Sequence, residues 1–355
     1  MQSFTLDYKT ILVTGGYGFI MSNLINYIND NFYNVDIINI DKCGAGSNKT
    51  NINNPVNNND IHTLHMVCES PKFIKVLKQY KPDLIIHGAA ESHVDRSITD
   101  PLSFVQSNVL GTTNVIHAVD WYQKNVNSKC KCVLVSTDEV YGHLLPTDPP
   151  WNEDSPIQPR SPYASSKAAA DLIALSFNTT FKTDFCIVRG CNNFGPRQDH
   201  EKLMPKYITT ILQGKKMPVY GSGTNIREWV FVDDFCRFIL DKAMHYTSGN
   251  VYNYGCGISR TNMDILRELY MCLELFCRRK DCNLVLKYKK FEDSIEYVED
   301  RKGHDFRYAM RSKYGYTGKS DDSFRKQLYR TIEFYYDQSI NQNKAGGCFA
   351  KLFGW

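Results

Sequence analysis

Short apolar runs alternate along the chain with stretches whose apolar residues recur at helical spacing. Ile11-Leu12-Val13 ends in a glycine-rich turn, and Phe19 to Ile28 then carries apolar residues at the period of one helix face. A second run, Val35 to Ile40, closes at Asp41. Further runs at Leu84 to His87, Cys132 to Ser136 and Phe185 to Val188 alternate with helical patterns, including Leu102 to Tyr122 and Ser165 to Phe177. Strands that read as continuous apolar runs are covered on both faces, so the pattern predicts an α/β fold with a doubly wound parallel sheet.

The segment Asn48 to Asp60, NKTNINNPVNNND, has too little apolar surface to order itself by burial, and predicts a surface loop. Beyond Gly190 the alternation becomes irregular, with Gly195-Pro196, Pro205, Pro218, Gly221 and Gly223 breaking it. Residues 1–189 therefore form one unit, to which a later segment near 225–255 returns. Residues 190–340 form mainly a second, smaller and irregular unit. A late helical pattern, Asp321 to Gln338, precedes a tail at 341–355 that holds Phe349, Leu352, Phe353 and Trp355. There is no internal repeat.

Gly15-Gly16-Tyr17-Gly18 lies between the first strand and the first helix. Glycines there let the backbone approach a pyrophosphate, while the helix N-terminus offers N–H donors and the positive end of its dipole. This is the setting of a Rossmann-type dinucleotide site, with Gly15 and Gly18 as its cradle. Asp41 ends the second strand, where a carboxylate accepts hydrogen bonds from an adenosine ribose and repels a 2′-phosphate. NAD is expected over NADP, with the neighbouring Lys42 softening that repulsion. The third small position of the glycine pattern falls on Met21, and a bulky residue there is expected to shift the helix outward or weaken cofactor binding.

Tyr163 and Lys167, in SPYASSK, share one helix face. An ammonium near a phenol lowers its pKa and prepares it to take a hydroxyl proton during hydride transfer. Asp138 and Glu139 follow Thr137 at the carboxyl end of a strand, the edge that faces the ligand crevice in a doubly wound sheet. Burial and repulsion push the pKa values of adjacent carboxylates apart, leaving one as an acid and one as a base. Elimination of water needs both. Arg227, in the turn-rich GSGTNIREW, suits bidentate contact with phosphate.

Five strings resemble dTDP-glucose 4,6-dehydratases of the extended short-chain dehydrogenase/reductase family: GAAESHVDRSI (88–98), LVSTDEVYG (134–142), SPYASSKAAAD (161–171), NNFGPRQ (192–198) and DRKGHDFRY (300–308). UDP-glucose 4,6-dehydratases are similar over the same stretches, so the nucleotide stays open between dTDP and UDP. The resemblance implies that Tyr163 accepts the C4 hydroxyl proton as hydride passes to NAD, with Thr137 bonding that hydroxyl and Lys167 orienting the nicotinamide ribose. It implies further that Glu139 removes the C5 proton, that Asp138 protonates the leaving C6 hydroxyl, and that hydride returns to C6. The implied product is a 4-keto-6-deoxy nucleotide sugar for deoxysugar synthesis, with rhamnose the commonest destination.

The resemblance also implies cofactor contacts from Phe19, Ile20, Lys42, Ala89, Ala90, Ser107 and Asn193, alongside Gly15, Gly18, Asp41, Tyr163 and Lys167. The implied substrate contacts are Ser92, Thr137, Asn192, Lys202, Leu203, Tyr220, Arg227, Asn262, Arg301 and His304. Asn262 reads equally as a helix N-cap before Met263. LHMVC (64–68) lacks the acidic residue that often holds adenine in such enzymes. A UDP-sugar 4-epimerase or UDP-glucuronate decarboxylase shares the glycine turn, Tyr163 and Lys167 but not the Asp-Glu pair. A non-catalytic NAD-binding protein has no physical need to keep the five catalytic residues together.

Composition narrows the partners. With 42% hydrophobic and 23% charged residues and a formal charge of +4, the 355-residue chain is of ordinary globular type, and neither nucleic acid nor a membrane surface is an expected partner. The 12 cysteines show no paired spacing for zinc and read as reduced thiols, so no metal is expected. No signal peptide or long apolar span is visible, and a cytoplasmic location is expected. The resemblance implies a homodimer paired through the helices at Leu102 to Tyr122 and Ser165 to Phe177.

Overall fold

The computed structural model describes residues 6–279, 286–300, 304–318 and 321–346. The strands are β1 (Thr10–Thr14), β2 (Asp36–Asp41), β3 (Asp60–His65), β4 (Leu84–His87), β5 (Lys131–Thr137), β6 (Cys186–Gly190), β7 (Asn192–Phe194), β8 (Met217–Tyr220), β9 (Ile226–Phe231), β10 (Val251–Tyr254), β11 (Ser259–Thr261) and β12 (Ile295–Val298). The helices are α1 (Phe19–Asn31), α2 (Phe73–Tyr80), α3 (Val94–Thr99), α4 (Pro101–Phe104), α5 (Gly111–Asn125), α6 (Pro162–Phe181), α7 (Leu203–Leu212), α8 (Val232–His245), α9 (Asn262–Arg279) and α10 (Asp321–Gly346).

Seven strands form one parallel sheet in the order β10-β6-β5-β4-β1-β2-β3. Successive residues of β1 point to opposite faces. Ile11 and Val13 join Leu24, Ile25 and Ile28 of α1 and Phe235 and Ile239 of α8 in one core. Leu12 faces the other way, with Val115 and Val119 of α5 and Leu77 of α2. Both layers are fully buried, and each such aliphatic side chain contributes roughly 1.5–3 kcal/mol. After β3 the chain crosses to β4 on the far side of β1, so the strand order reverses between β1 and β4. A crevice opens outside the carboxyl ends of strands at such a switch point.

Beyond β6, β11-β9-β7 and β12-β8 make two small sheets, and α7, α9 and α10 pack on them around Met204, Leu266, Leu269 and Leu328. β10 returns to the edge of the large sheet beside β6. Among the described residues no helix is long and apolar enough to cross a membrane, and the described cysteines are free thiols.

Two expectations need correction. The helix read at Leu102 to Tyr122 is interrupted by a wide turn at Val105–Leu110 and runs on to Asn125. The last helix continues past Gln338 to Gly346; Phe349, Leu352, Phe353 and Trp355 lie outside the described residues. The asparagine-rich segment is the expected surface loop, most of it exposed, and it is tied to α1. Asn51 and Asn59 are buried, and side-chain amides of α1 bond its backbone. Hydrogen bonding orders it, with Ile52 as its one residue packed on the core.

Candidate active site

The crevice is walled by three chain turns at strand ends. The first is the glycine turn after β1. Gly15 has φ +77°, and a Cβ there would come within 2.8 Å of Ala89 Cα, so only glycine lets the loops after β1 and β4 approach this closely. α1 begins at Phe19 with no side-chain cap and no acidic residue in its first turn, leaving its first N–H groups available to an anion. Gly15, Gly18, Phe19 and Ile20 all line the cavity. A dinucleotide pyrophosphate fits this cradle.

Met21 packs against Gly88. Its side chain is buried, and a Cβ on Gly88 would lie 2.5 Å from Met21 Cγ and Sδ. The bulk of Met21 is accommodated by the absence of a side chain at Gly88, across the crevice floor at the end of β4. Close packing survives with the large residue on α1 and the small one just after β4.

The second wall follows β2. Asp41 Oδ2 accepts from Tyr17 N at 3.0 Å, and Oδ1 accepts from Cys43 N at 2.7 Å and Ser47 Oγ at 3.0 Å. The carboxylate thus ties the glycine turn to residues 43–47, and Asp41, Lys42 and Gly44 to Ser47 all line the cavity. Lys42 Nζ reaches across to Glu91 Oε1 at 2.6 Å and donates to Ser107 Oγ at 3.3 Å. The string LHMVC carries no acid, but Glu69, one residue further on, lines the cavity with Met66 and Cys68. Glu69 was not foreseen, because its placement depends on the turn after β3.

The third wall holds Ala89, Ala90 and Ser92, with Lys202 arriving from the start of α7; Lys202 Nζ donates to Ser92 O at 3.0 Å. His93 and Arg96 meet Glu201 at 3.1 and 2.6 Å. Behind this wall His87 is buried between Thr14 Oγ1 (2.7 Å) and Thr112 Oγ1 (3.0 Å). Burial, then the Lys167 charge, lower its pKa to about 3 and hold the ring neutral.

The catalytic candidates converge where β5 ends beside α6. Ser161 Oγ caps α6 by accepting from Ala164 N, and Pro162 opens the helix. Tyr163 and Lys167 on its next turn line the cavity with Ser136. Lys167 Nζ donates to Val135 O at 2.8 Å. Burial lowers the lysine pKa, and the Asp171 carboxylate opposes that shift. The expected lowering of the phenol pKa by Lys167 is not what this arrangement produces. Burial and the negative charge of Glu139 push the Tyr163 phenol up, and a hydrogen bond with Thr137 works against them.

Asp138 is a strongly perturbed carboxyl. It is 2% exposed. Burial, reinforced by the Glu139 charge and opposed by Arg227, pushes its pKa up to about 8. Thr137 Oγ1 donates to its Oδ1 at 3.2 Å and also accepts from Glu139 N, while Oδ2 has no hydrogen-bond partner among the described residues. A carboxyl that stays protonated at neutral pH is fitted to act as an acid. Asn193 Oδ1 and Gln198 Oε1 are likewise buried and unbonded. Gln198 lines the cavity, whereas Asn193 lies outside the lining, its Nδ2 donating to Cys191 O.

The remaining substrate candidates lie beyond the cavity lining. Asn192 opens β7 and Leu203 opens α7. Tyr220, Asn262 and His304 are drawn to one region: Gly221 N bonds Val298 O, Met263 N bonds Gly223 O, and His304 Nδ1 lies 2.8 Å from Asp300 Oδ1. Thr261, not Asn262, makes the cap bonds at the start of α9, accepting from Asp264 N while Asp264 Oδ2 accepts from Thr261 N. Arg227 is buried; it donates to Asp305 O at 2.8 Å and Phe306 O at 3.1 Å and lies 4.2 Å over the Tyr308 ring. Arg301 lies outside the described residues.

Comparison with known proteins agrees with this arrangement. The family model described as GDP-mannose 4,6 dehydratase matches residues 12–313. The dTDP-glucose 4,6-dehydratase of Neisseria gonorrhoeae is 34% identical over 95% of this chain and 98% of its own length. The crystal structure of the Streptomyces venezuelae dTDP-glucose 4,6-dehydratase with NAD bound superposes with a TM-score of 0.78 at 34% identity, covering 93% of this chain and 98% of that one. The Bacillus anthracis enzyme in complex with NAD gives 0.79 at 33% identity, over 94% and 98%. The glycine cradle, the Tyr-Lys helix face and the paired carboxylates thus stand in a chain that belongs to the dTDP-glucose 4,6-dehydratase family.

Proposed function

We propose that this protein converts dTDP-glucose to dTDP-4-keto-6-deoxyglucose and water, as an NAD-dependent hydro-lyase serving deoxysugar synthesis. The observation that carries the reading is Asp138: a buried carboxyl beside Glu139, its pKa raised by burial and by that neighbour, two residues after Ser136, which lines the dinucleotide cavity together with Tyr163 and Lys167. An epimerase has no use for such an acid.

Residues 1–189 hold the cofactor through Gly15, Gly18, Phe19, Ile20, Asp41, Lys42, Ala89, Ala90 and Ser107, joined by Asn193 from the second unit, with Glu69 in reach of the adenine end. NAD, when bound, supplies the reversible two-electron acceptor for oxidation at C4 and the matching reduction at C6. Tyr163, as the phenolate that the positive charge of Lys167 stabilises, receives the proton of the C4 hydroxyl and becomes the neutral phenol. Thr137 orients that hydroxyl. The 4-ketone acidifies C5–H, Glu139 removes that proton, and Asp138 gives its proton to the C6 oxygen as the C6–O bond breaks. Water leaves and a C5–C6 double bond forms, ready for reduction at C6 and reprotonation at C5. Residues 190–340 hold the nucleotide sugar, through Ser92 of the first unit together with Asn192, Lys202, Leu203, Tyr220, Asn262, Arg301 and His304. Arg227 supports this group by fixing the 305–306 backbone.

Leu102 (77% exposed), Val105, Leu110 and Leu172 stand exposed on neighbouring helical segments, and the reading makes this the face of a homodimer. The cytoplasm, which keeps thiols reduced, is the compartment that suits the free cysteines. The decisive test incubates the protein with NAD and either dTDP-glucose or UDP-glucose, with mass loss of one water as readout. Water loss from dTDP-glucose, much slowed by Asp138→Asn, is the expected result. Loss only from UDP-glucose reassigns the nucleotide, and NAD binding without loss from either overturns the dehydratase reading.

A further inference from the structure

Buried amides on a helix face are costly unless each finds partners, yet Asn23, Asn26 and Asn29 recur every third residue on the buried side of α1. Asn26 Nδ2 donates to Asn51 O, and Asn26 Oδ1 accepts from Asn53 N, both at 2.8 Å. One rung further along, Asn29 Nδ2 donates to Asn54 O and Asn29 Oδ1 accepts from Val56 N, both at 3.0 Å. Each side-chain amide thus takes the role of a peptide group and pairs with the loop as a neighbouring strand would. The register advances three residues on both sides.

The third rung holds a different segment. Asn23 Nδ2 donates to Pro196 O at 2.9 Å, and Arg197 Nη1 donates to Asn23 Oδ1 at 3.1 Å. Both laddered segments lead into the dinucleotide cavity. Asn51 Nδ2 and Asn48 N donate to Tyr17 O in the glycine turn, and Ser47, just before Asn48, lines the cavity. Gln198 and Asp199, just after Arg197, line it from the other side.

We propose that the asparagine face of α1 is a positioning device for the cofactor, holding two walls of the cavity in place before NAD arrives. This rests on the reading of the cavity as the NAD site. A preordered wall spares the ligand the entropy of ordering it, and affinity rises accordingly. In the loop the amide ladder adds to a single apolar anchor, Ile52, which packs against the core beneath α1, and this explains how an asparagine-rich loop comes to frame a binding site.

The test measures NAD dissociation constants for the parent chain, Asn26→Leu, Asn29→Leu and Asn31→Leu, the last bearing an exposed amide that bonds Tyr27 O within its own helix. Each ladder variant is expected to weaken NAD binding by about tenfold or more, while Asn31→Leu stays within about threefold of the parent. Folded ladder variants that bind NAD like the parent overturn the proposal. Amide exchange across residues 48–56 of the parent, with NAD removed and restored, decides the matter without any variant. Equal protection in both states is expected, and protection that appears only with NAD overturns preordering. A parent chain that binds no NAD strikes at the cofactor reading instead.

Discussion

The carboxyl end of β5 and the asparagine loop at residues 48–59 both bury polar groups near the cofactor crevice, and they treat them in opposite ways. In the loop, amide meets peptide rung after rung, with both ends of Asn26 and Asn29 satisfied. At β5, Asp138 is buried with one oxygen unbonded and a like charge next to it. A satisfied buried network makes a rigid wall. An unsatisfied one holds free energy ready for a reacting atom, and its perturbed pKa marks the place where chemistry occurs.

The comparison breaks most visibly if the unsatisfied carboxyl proves dispensable. Asp138→Asn keeps shape but removes the acid, and should slow dehydration by about 10²–10⁴-fold while leaving C4 oxidation intact. Rapid-quench analysis with NADH absorbance separates the two steps, and equal loss of both would reduce Asp138 to a structural part.

Next in size is the scaffold just behind it. Arg189 Nε bonds Asp171 Oδ2 at 2.9 Å, Ser136 Oγ bonds the same oxygen, and Arg189 Nη1 reaches Tyr141 Oη at 2.8 Å, all buried. Asp171→Ala strands a buried guanidinium and should cost about 3–5 kcal/mol in denaturant unfolding.

Smaller still is the packing exchange at the crevice floor. Gly88→Leu drives a side chain into Met21 and should cost about 1–3 kcal/mol. Met21→Ala in the same chain should return most of that loss, whereas additive loss would show that the two positions do not share one space.

The gentlest probe is pH. Asp138, with a folded-state pKa of about 8, keeps a proton that the unfolded chain releases near pH 4. The folded state binds more protons across that window, so this group's contribution to stability is full below about pH 4 and lost as pH rises through about 8. Glu228, raised to about 7 by burial, acts in the same direction. Melting temperature should therefore fall with rising pH, less steeply in Asp138→Asn, and the dehydration step should weaken above about pH 8 as the acid loses its proton.

What the sequence by itself determined lies in local pattern. Continuous apolar runs specified strands covered on both faces, and these became the parallel sheet. Gly15 to Gly18 between strand and helix specified a cradle, and the spacing of Tyr163 and Lys167 set them on one helix face; such features depend on residues a few positions apart. The tertiary structure decided everything that joins distant segments. It raised the Asp138 pKa by burial and by the charges of Glu139 and Glu228, against the opposing charge of Arg227. It brought Gly88 under Met21, and set Glu69 in the cavity although the string before it holds no acid. It turned Arg227 onto the carbonyls of residues 305 and 306. It also gave the asparagines of α1 a loop to hold, because burial and hydrogen-bond partnership belong to the folded neighbourhood and not to the order of residues along the chain.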